Sequence, residues 1–109
     1  MNPQSILTST SWEEYASALP RKASDTERLV AAICYRLENE QVDATDVSVI
    51  AGDYFRRARW TRPSNLSATA NHCASKGWLT EVGRQEGHKL WRITRKGYDT
   101  IKERLTLSN

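Results

Sequence analysis

The amino-acid sequence predicts a mainly helical fold of the α+β class, with one small β-hairpin near its end. Apolar residues recur at helical spacing through most of the chain, whereas apolar and polar residues alternate after Gly77. The 109 residues, 39% of them hydrophobic, suit one compact domain with a small core. We therefore expect a flexible tail over residues 1–10, a short amphipathic helix with a linker over residues 11–23, and the main domain over residues 24–109.

The first helix is expected from Ser11 to Leu19. Ser11 precedes Glu14 by three residues, a spacing that is typical of a capping box at a helix start. A helix this short does not persist in water unless its apolar face docks on something. That face consists of Trp12, Tyr15 and Leu19. Either it docks on a second copy of the chain or the helix packs across its own domain as a lid; an aromatic face that stays exposed would suit a different protein partner.

Another capping box, Ser24 with Glu27, opens the second helix, which we expect from about Asp25 to Glu38. Apolar residues form one stripe along this helix, as expected of a helix that packs on a core. The segment VDAT, residues 42–45, follows it and suits either a single strand or an extended turn.

The third helix is expected over VSVIAGDYFRRARW, with Asp46 or Thr45 as its cap. Its first two turns carry an apolar face for the core, and Arg56, Arg57 and Arg59 project from its end. Basic side chains at this position complement the negative pole of a helix C-terminus, which is a purely structural role.

The fourth helix, expected from Ser64 to Lys76, is small and polar where a core helix would be apolar. Pro63 and Ser64 suit its start, and Gly77 suits a left-handed end. Its narrow stripe of small apolar side chains consists of Leu66, Ala70, Cys73 and Ala74. The opposite face shows Ser67, Ala68, Asn71, His72 and Ser75.

After Gly77, WLTEV and KLWRIT are expected to form two strands joined by the loop GRQEGH, with Trp91 and Ile93 on one face. Thr94 then caps the last helix. Its inward face consists of Tyr98, Ile101 and Leu105. Gly97 in its first turn is costly in helix propensity, so we expect this glycine to permit close packing.

Positive charge is concentrated in the second half of the chain. Residues 56–96 contain ten basic and two acidic side chains, a net charge of +8, whereas the rest of the chain contains six basic and eleven acidic side chains. A basic surface of this kind attracts polyanions, of which nucleic acid is the commonest in the cytosol. Uneven charge on a solvated surface is the alternative interpretation.

Other classes of function are disfavoured. No apolar run approaches the ~18 residues of a membrane helix, and the N-terminus lacks a signal-peptide pattern, so we expect a cytoplasmic protein. Cys34 and Cys73 fall within helical patterns and are expected to be buried free thiols. His72 and Cys73 diverge by about 100° on a helix, which disfavours a shared metal ion. With no phosphate loop and no triad pattern, we expect no enzymatic activity, no cofactor and no metal.

The stretch SNLSATANHCASKGWLTEV, followed by GHKLWRITRKG, resembles the winged helix-turn-helix domains of MarR- and PadR-like transcription regulators. The resemblance extends over about Ser24 to Leu105. It implies a recognition helix over residues 64–76, a wing over residues 84–92, and a helix from Val47 to Arg59 that crosses the DNA backbone. Two departures stand out: GRQEGHK lacks the Asp and Arg pair of the MarR-like wing, and the recognition helix contains no arginine, the residue that most often reads guanine. Any preferred DNA site should therefore be A·T-tolerant.

These observations predict a DNA-binding winged-helix protein, either a transcription regulator or an accessory factor, that binds double-stranded DNA as a homodimer. Base contacts are expected from Ser67, Ala68, Asn71, His72 and Ser75. Phosphate contacts are expected from Arg56, Arg57, Arg59, Arg62, Lys76, Arg84, Lys89 and Arg92. The dimer contact is expected from Trp12, Tyr15 and Leu19, with the last helix, Tyr98 to Leu105, as the other contributor. The alternative function is a winged-helix module that binds another protein within a larger assembly.

Overall fold

The computed structural model describes residues 11–107, so the tail expected over residues 1–10 lies outside it. Within this range the fold is mixed α+β, as the sequence predicts, with five helices and one antiparallel hairpin. The elements are α1 Trp12–Ser17, α2 Asp25–Asn39, α3 over residues 47–58, α4 Leu66–Ser75, β1 Leu79–Gln85, β2 His88–Ile93 and α5 Arg95–Leu107. None of these helices is long and apolar enough to cross a lipid bilayer.

α2 is the central helix of the core. Its start is fixed by the capping box that the sequence predicts: Ser24 Oγ accepts the Glu27 N–H at 3.2 Å, and Glu27 Oε1 accepts the Ser24 N–H at 3.1 Å. Six consecutive residues, 29–34, are at most 1% exposed. Because residues on every side of the helix are covered there, α2 is buried all round rather than along one stripe, and α3, α4 and α5 pack against it.

α1 lies on the same core and covers it. The side chains of Trp12, Tyr15 and Leu19 are 0%, 2% and 6% exposed. Trp12 Nε1 donates to the carbonyl oxygen of Tyr54 at 2.7 Å, and the Trp12 ring meets the rings of Tyr35 and Tyr54 at centroid distances of 5.3 and 5.2 Å. The structure thus corrects the expectation that these three side chains dock on a second chain, because the chain's own core already buries them. The lid interpretation describes α1 in this structure.

α3 contains a stretch of wider, π-helical turns. Its three segments are α-helical Val47–Val49, π-helical Ile50–Phe55 and α-helical Arg56–Ala58. A π-turn replaces i→i+4 hydrogen bonds by i→i+5 bonds, and such segments are rare. Where the helix ends, the carbonyl of Phe55 accepts the Trp60 N–H at 2.9 Å, across five residues. The apolar spacing of the sequence predicts the helix but not this change of register.

A single bridge joins the start of α3 to the hairpin. Thr45 and Trp91 exchange both backbone hydrogen bonds, at 3.0 and 2.8 Å, so VDAT contributes a one-residue antiparallel strand. Asp46 then caps α3, because its Oδ1 accepts the Val49 N–H at 3.1 Å. The start of α3 is therefore fixed against the hairpin.

The hairpin is longer than the sequence predicts. β1 and β2 pair in antiparallel register from Leu79 with Ile93 to Gln85 with His88, with a bulge near residue 82. Only Glu86 and Gly87 form the turn, with φ values of 52° and 83°. Two residues with positive φ make the tight turn that matches strand twist. The expected six-residue loop GRQEGH is wrong, because most of it continues the two strands.

α5 starts where the sequence predicts and lies close to the base of the hairpin. Thr94 Oγ1 accepts the Gly97 N–H at 3.0 Å and donates to the Gly77 carbonyl at 2.6 Å. A Cβ on Gly97 would lie 2.4 Å from the carbonyl oxygen of Trp78. The expectation that Gly97 permits close packing is confirmed.

Candidate nucleic-acid interface

α4 begins two residues later than the sequence predicts. The capping residue is Asn65, whose Oδ1 accepts the Ala68 N–H at 3.0 Å, and the helix runs over Leu66–Ser75 rather than residues 64–76. An Asn in extended conformation is a strong N-cap, so it fixes the start in preference to Ser64. The packed stripe is narrow: Ala70 and Cys73 are 0% exposed. Their small side chains let α4 lie against α2 while its other face stays open.

The five residues expected to contact bases all lie on that open face. Ser67, Ala68, Asn71, His72 and Ser75 are exposed. The Ser75 hydroxyl donates to the His72 carbonyl at 2.8 Å, so its donor is used within the helix. Within residues 11–107 the side chains of Ser67, Asn71 and His72 make no hydrogen bond. These three are therefore free to pair with a ligand.

A cleft of about 450 Å³ separates α4 from the hairpin. Its walls come from three places in the sequence: the start of α3 at residues 46–48, the start of α4 at residues 62–67, and the tip of the hairpin. Asn71 lines it from the open face of α4. Its lining includes three basic side chains and one histidine: Arg62, Arg84, Lys89 and His88.

The basic side chains of the cleft make long ion pairs or, for Arg62, none among the described residues. Arg62 is exposed and has no carboxylate within 4 Å among the described residues. Arg84 Nε and Lys89 Nζ lie 3.6 and 3.8 Å from the carboxylate of Glu81, and Lys89 Nζ also lies 5.7 Å from the centre of the Trp91 ring. Exposed ion pairs at these distances contribute little to stability. A ligand with several negative charges can therefore compete for these side chains.

Asp46 is the one carboxylate among the described residues that line the cleft, and it already has partners. Its Oδ1 accepts hydrogen bonds from the Ser48 hydroxyl at 2.6 Å and from the Val49 N–H at 3.1 Å. Burial raises the pKa of this carboxyl, but these hydrogen bonds outweigh that effect, and the pKa is lowered from its ordinary value. Asp46 therefore stays ionised as a helix cap and leaves a net positive charge on the cleft.

The arginines at the end of α3 do not join the cleft as one cluster. Arg57 Nε donates to Glu13 Oε1 at 2.8 Å and its Nη2 to Glu13 Oε2 at 3.3 Å, while Nη1 lies 3.4 Å from Asp53. Its guanidinium also lies 5.8 Å from the centre of the Tyr54 ring. The Arg57 hydrogen bond lowers the pKa of Glu13, so the pair is ionised. Arg57 thus ties α3 to α1, a structural role that differs from the one expected from the sequence, which was to complement the negative pole of the helix C-terminus.

Four other cations expected at phosphates do not line the cleft. Arg56 is largely exposed, 3.8 Å from Asp53. Arg59 is exposed, with a left-handed φ of 60° at the end of α3. Arg92 is exposed on β2, opposite Thr80. Lys76 lies at the other end of α4 from the cleft.

Among the cleft residues that sequence reasoning missed are His88 and Trp91. Their signal was the Glu86–Gly87 pair, since a two-residue turn there fixes the register of β2 and places residue 88 at the tip. It also missed Lys96, whose side chain lies across Gly77. That contact depends on the close approach of α5 to the hairpin base, which the spacing of charges does not reveal.

The two thiols contribute no chemistry to this face. Cys34 and Cys73 are free and buried, as the sequence predicts. Burial raises the pKa of both thiols to about 12, so neither forms the reactive thiolate near neutral pH. Cys73 Sγ instead donates to the Thr26 carbonyl at 3.5 Å.

Comparison of the chain with protein-family models, with curated proteins and with solved structures finds no match. The geometry and charge of the chain's own residues are therefore what any functional conclusion stands on.

Proposed function

We propose that this protein binds double-stranded DNA as a winged helix-turn-helix domain, with α4 as the recognition helix and the β1–β2 hairpin as the wing. The observation that carries the proposal is the cleft between α4 and the hairpin. It brings Arg62, Arg84 and Lys89 into the lining of one cleft with Asn71, although these residues come from separate elements. One continuous face thus combines cations for phosphates with free polar groups for bases.

The shape of this face suits the duplex. A major groove about 12 Å wide admits one α-helix, provided that the helix face that enters the groove carries small side chains. Ser67 and Ala68 supply slim exposed residues at the start of α4. The sugar-phosphate backbone that borders the groove would then lie in the cleft, between Arg62 on one wall and Lys89 on the other.

The chemistry of α4 favours A·T-tolerant recognition. Asn71 can form a bidentate pair with adenine, and each such pair contributes roughly 1–3 kcal/mol of discrimination. No arginine stands on α4 to read guanine. Cations therefore supply most of the affinity, and Asn71 and His72 supply what sequence preference there is.

A role in transcription regulation, or as an accessory factor on DNA, belongs to this proposal. Specific recognition by such a domain usually needs a dimer. The dimer remains a prediction. The face of α1 suggested for it is buried in the chain's own core, whereas in the suggested part of α5 Ile101 is 1% exposed and Tyr98 and Leu105 are partly exposed. The burial of that aromatic face also removes the observation that favoured a protein-binding module.

Fluorescence anisotropy with a short random-sequence duplex tests the proposal, with salt varied between about 50 and 200 mM. The wild type should bind with an affinity that falls steeply with salt. Arg62→Gln with Lys89→Gln should make the slope of log K against log[salt] shallower by about 0.9 for each lost contact. The matched control is Arg21→Gln with Lys22→Gln, which removes the same two charges from the exposed segment between α1 and α2. No binding at the lowest salt, or equal slopes for the two double variants, would refute the proposal.

A further inference from the structure

A second group of cations lies at the other end of α4, where the helix, the hairpin base and α5 meet. Lys76 follows the last residue of α4, and its Nζ lies 4.6 Å from the centre of the Trp78 ring. The Lys96 side chain lies across Gly77, with its Nζ 3.7 Å from where a Cβ on that glycine would stand. Lys76 and Lys96, which we term the lysine pair, thus come together around Gly77 and Trp78 although twenty residues separate them in the chain.

The lysine pair has no close counter-charge within residues 11–107. Neither ammonium has a carboxylate within 4 Å among the described residues. By contrast, Arg36, Arg56, Arg57, Arg84, Lys89, Arg95 and Arg104 all have one. An anion bound beside Gly77 and Trp78 would supply the counter-charge that both ammonium groups lack. Trp78 holds Lys76 through its ring without neutralising it, since a cation–π contact leaves the ammonium charged.

The position of the lysine pair relative to the cleft is set by α4. Arg62 precedes the helix and Lys76 follows it, so the ten residues of α4 separate the two groups of cations. Ten residues of α-helix rise about 15 Å. The major groove is about 12 Å wide, and a helix that lies in it has one phosphate backbone on each side. A single duplex can therefore meet the cleft with one strand and the lysine pair with the other.

We infer that the lysine pair is a second phosphate contact, on the strand across the major groove from the one that lies in the cleft. This inference depends on the proposed DNA binding and adds to it: α4 crosses the groove from one backbone to the other, with cations at both of its ends. The ligand is a duplex, because the two contacts need phosphates on both sides of one groove.

The test adds three double variants to the cleft variant, Arg62→Gln with Lys89→Gln, on the same duplex and in the same salt series. Lys76→Gln with Lys96→Gln should make the slope of log K against log[salt] shallower by about 0.9 for each lost contact. Lys76→Arg with Lys96→Arg should restore it, because arginine keeps the charge. Arg21→Gln with Lys22→Gln, the matched loss of two charges, should leave the slope unchanged.

Thermal unfolding of each variant shows that the fold is kept, and Lys96→Gln alone serves if the double variant is unstable, since Lys96 is exposed. If Arg62→Gln with Lys89→Gln makes the slope shallower but Lys76→Gln with Lys96→Gln does not, the second contact is refuted while the proposed function stands. If the Arg21 and Lys22 control lowers it equally, net charge alone explains the effect and the inference falls. If the wild type binds no duplex, both fall together.

Discussion

Arg57, near the end of α3, and Arg62, in the segment between α3 and α4, have opposite surroundings. Arg57 is held by Glu13, Asp53 and the Tyr54 ring, on the side of the molecule that α1 covers. Arg62, five residues later, has no carboxylate partner in the described part of the chain and lines the cleft. The difference teaches that the +8 segment is not one surface: part of its charge is used within the fold, and part stays available for a ligand.

The aromatic cluster under α1 should account for the largest effect. Trp12→Ala removes a fully buried ring and its hydrogen bond to Tyr54, so we expect the free energy of unfolding to fall by roughly 3–5 kcal/mol. Urea unfolding measures it. Trp12→Phe keeps most of the ring and should cost less, and its folded form should keep the wild-type salt slope on DNA. Unchanged stability of Trp12→Ala would show that α1 is not docked on the core. A changed salt slope in Trp12→Phe would show that the side of the molecule covered by α1 also contributes to DNA binding.

The support beneath the lysine pair can be tested at Gly97. Gly97→Ala places a Cβ 2.4 Å from the Trp78 carbonyl oxygen, a backbone atom that cannot move aside cheaply. We expect a loss of roughly 1–3 kcal/mol, typical of overpacking. Helix propensity alone predicts the opposite sign, a gain of up to about 1 kcal/mol. Thermal unfolding decides, with Gly83→Ala as the control because nothing lies within 4 Å of its Cβ position.

The contrast between Arg57 and Arg62 is tested by the same substitution at each. Arg57→Gln should lower the free energy of unfolding by roughly 0.2–1 kcal/mol, the range for exposed ion pairs, and leave the salt slope of DNA binding unchanged. Arg62→Gln should do the reverse: unchanged stability and a slope shallower by about 0.9. If Arg57→Gln changes the slope by as much as Arg62→Gln, then Glu13 gives up its partner to DNA and the two arginines belong to one surface after all.

The smallest effect is expected at Asp46, where the cleft meets the start of α3. Because the pKa of this carboxyl is lowered in the folded state, its ionised form stabilises the fold above the unfolded pKa of about 3.9. That contribution is lost as the pH falls through the lower folded-state pKa. Asp46→Asn keeps a capping oxygen but does not titrate. Between about pH 5 and pH 2, urea unfolding should therefore show a steeper loss of the free energy of unfolding for the wild type than for the variant. If the two proteins lose stability in parallel as the pH falls, Asp46 does not contribute in this way.

Much of the fold could be predicted from local sequence because local groups determine it. The capping box of Ser24 with Glu27, the left-handed Gly77 and the Thr94 cap all act within a few residues, and each is found in the structure. Of the box predicted for Ser11 with Glu14, the structure contains only the Ser11 side-chain cap. The place of α1 could not be decided in this way. The partners of Trp12 and Glu13 are Tyr54 and Arg57, more than forty residues away.

The candidate site likewise has a part that local sequence predicts and a part that depends on contacts between distant residues. Exposure of the α4 face follows from helical spacing, so Asn71 and His72 lie where the sequence places them. Which arginines remain unpaired depends on contacts between distant elements, and so the sequence could not separate Arg57 from Arg62. The Lys96 contact likewise needs Gly97, whose close packing was expected although the residues it brings together were not.

The π-helical segment of α3 makes the residue count between its two ends matter. A π-helical turn holds about one residue more than an α-helical turn, so removing one residue from Ile50–Phe55 would let the segment close to i→i+4 hydrogen bonds with both of its ends in place. An inserted residue would instead rotate everything after it by about 100°. The start of α3 could not follow, because Asp46 caps it and Thr45 fixes it to the hairpin. The rotation would swing Arg57 away from Glu13 and move the Tyr54 carbonyl away from Trp12 Nε1. Insertions in this segment should therefore be far less tolerated than deletions of one residue or substitutions at its exposed Gly52.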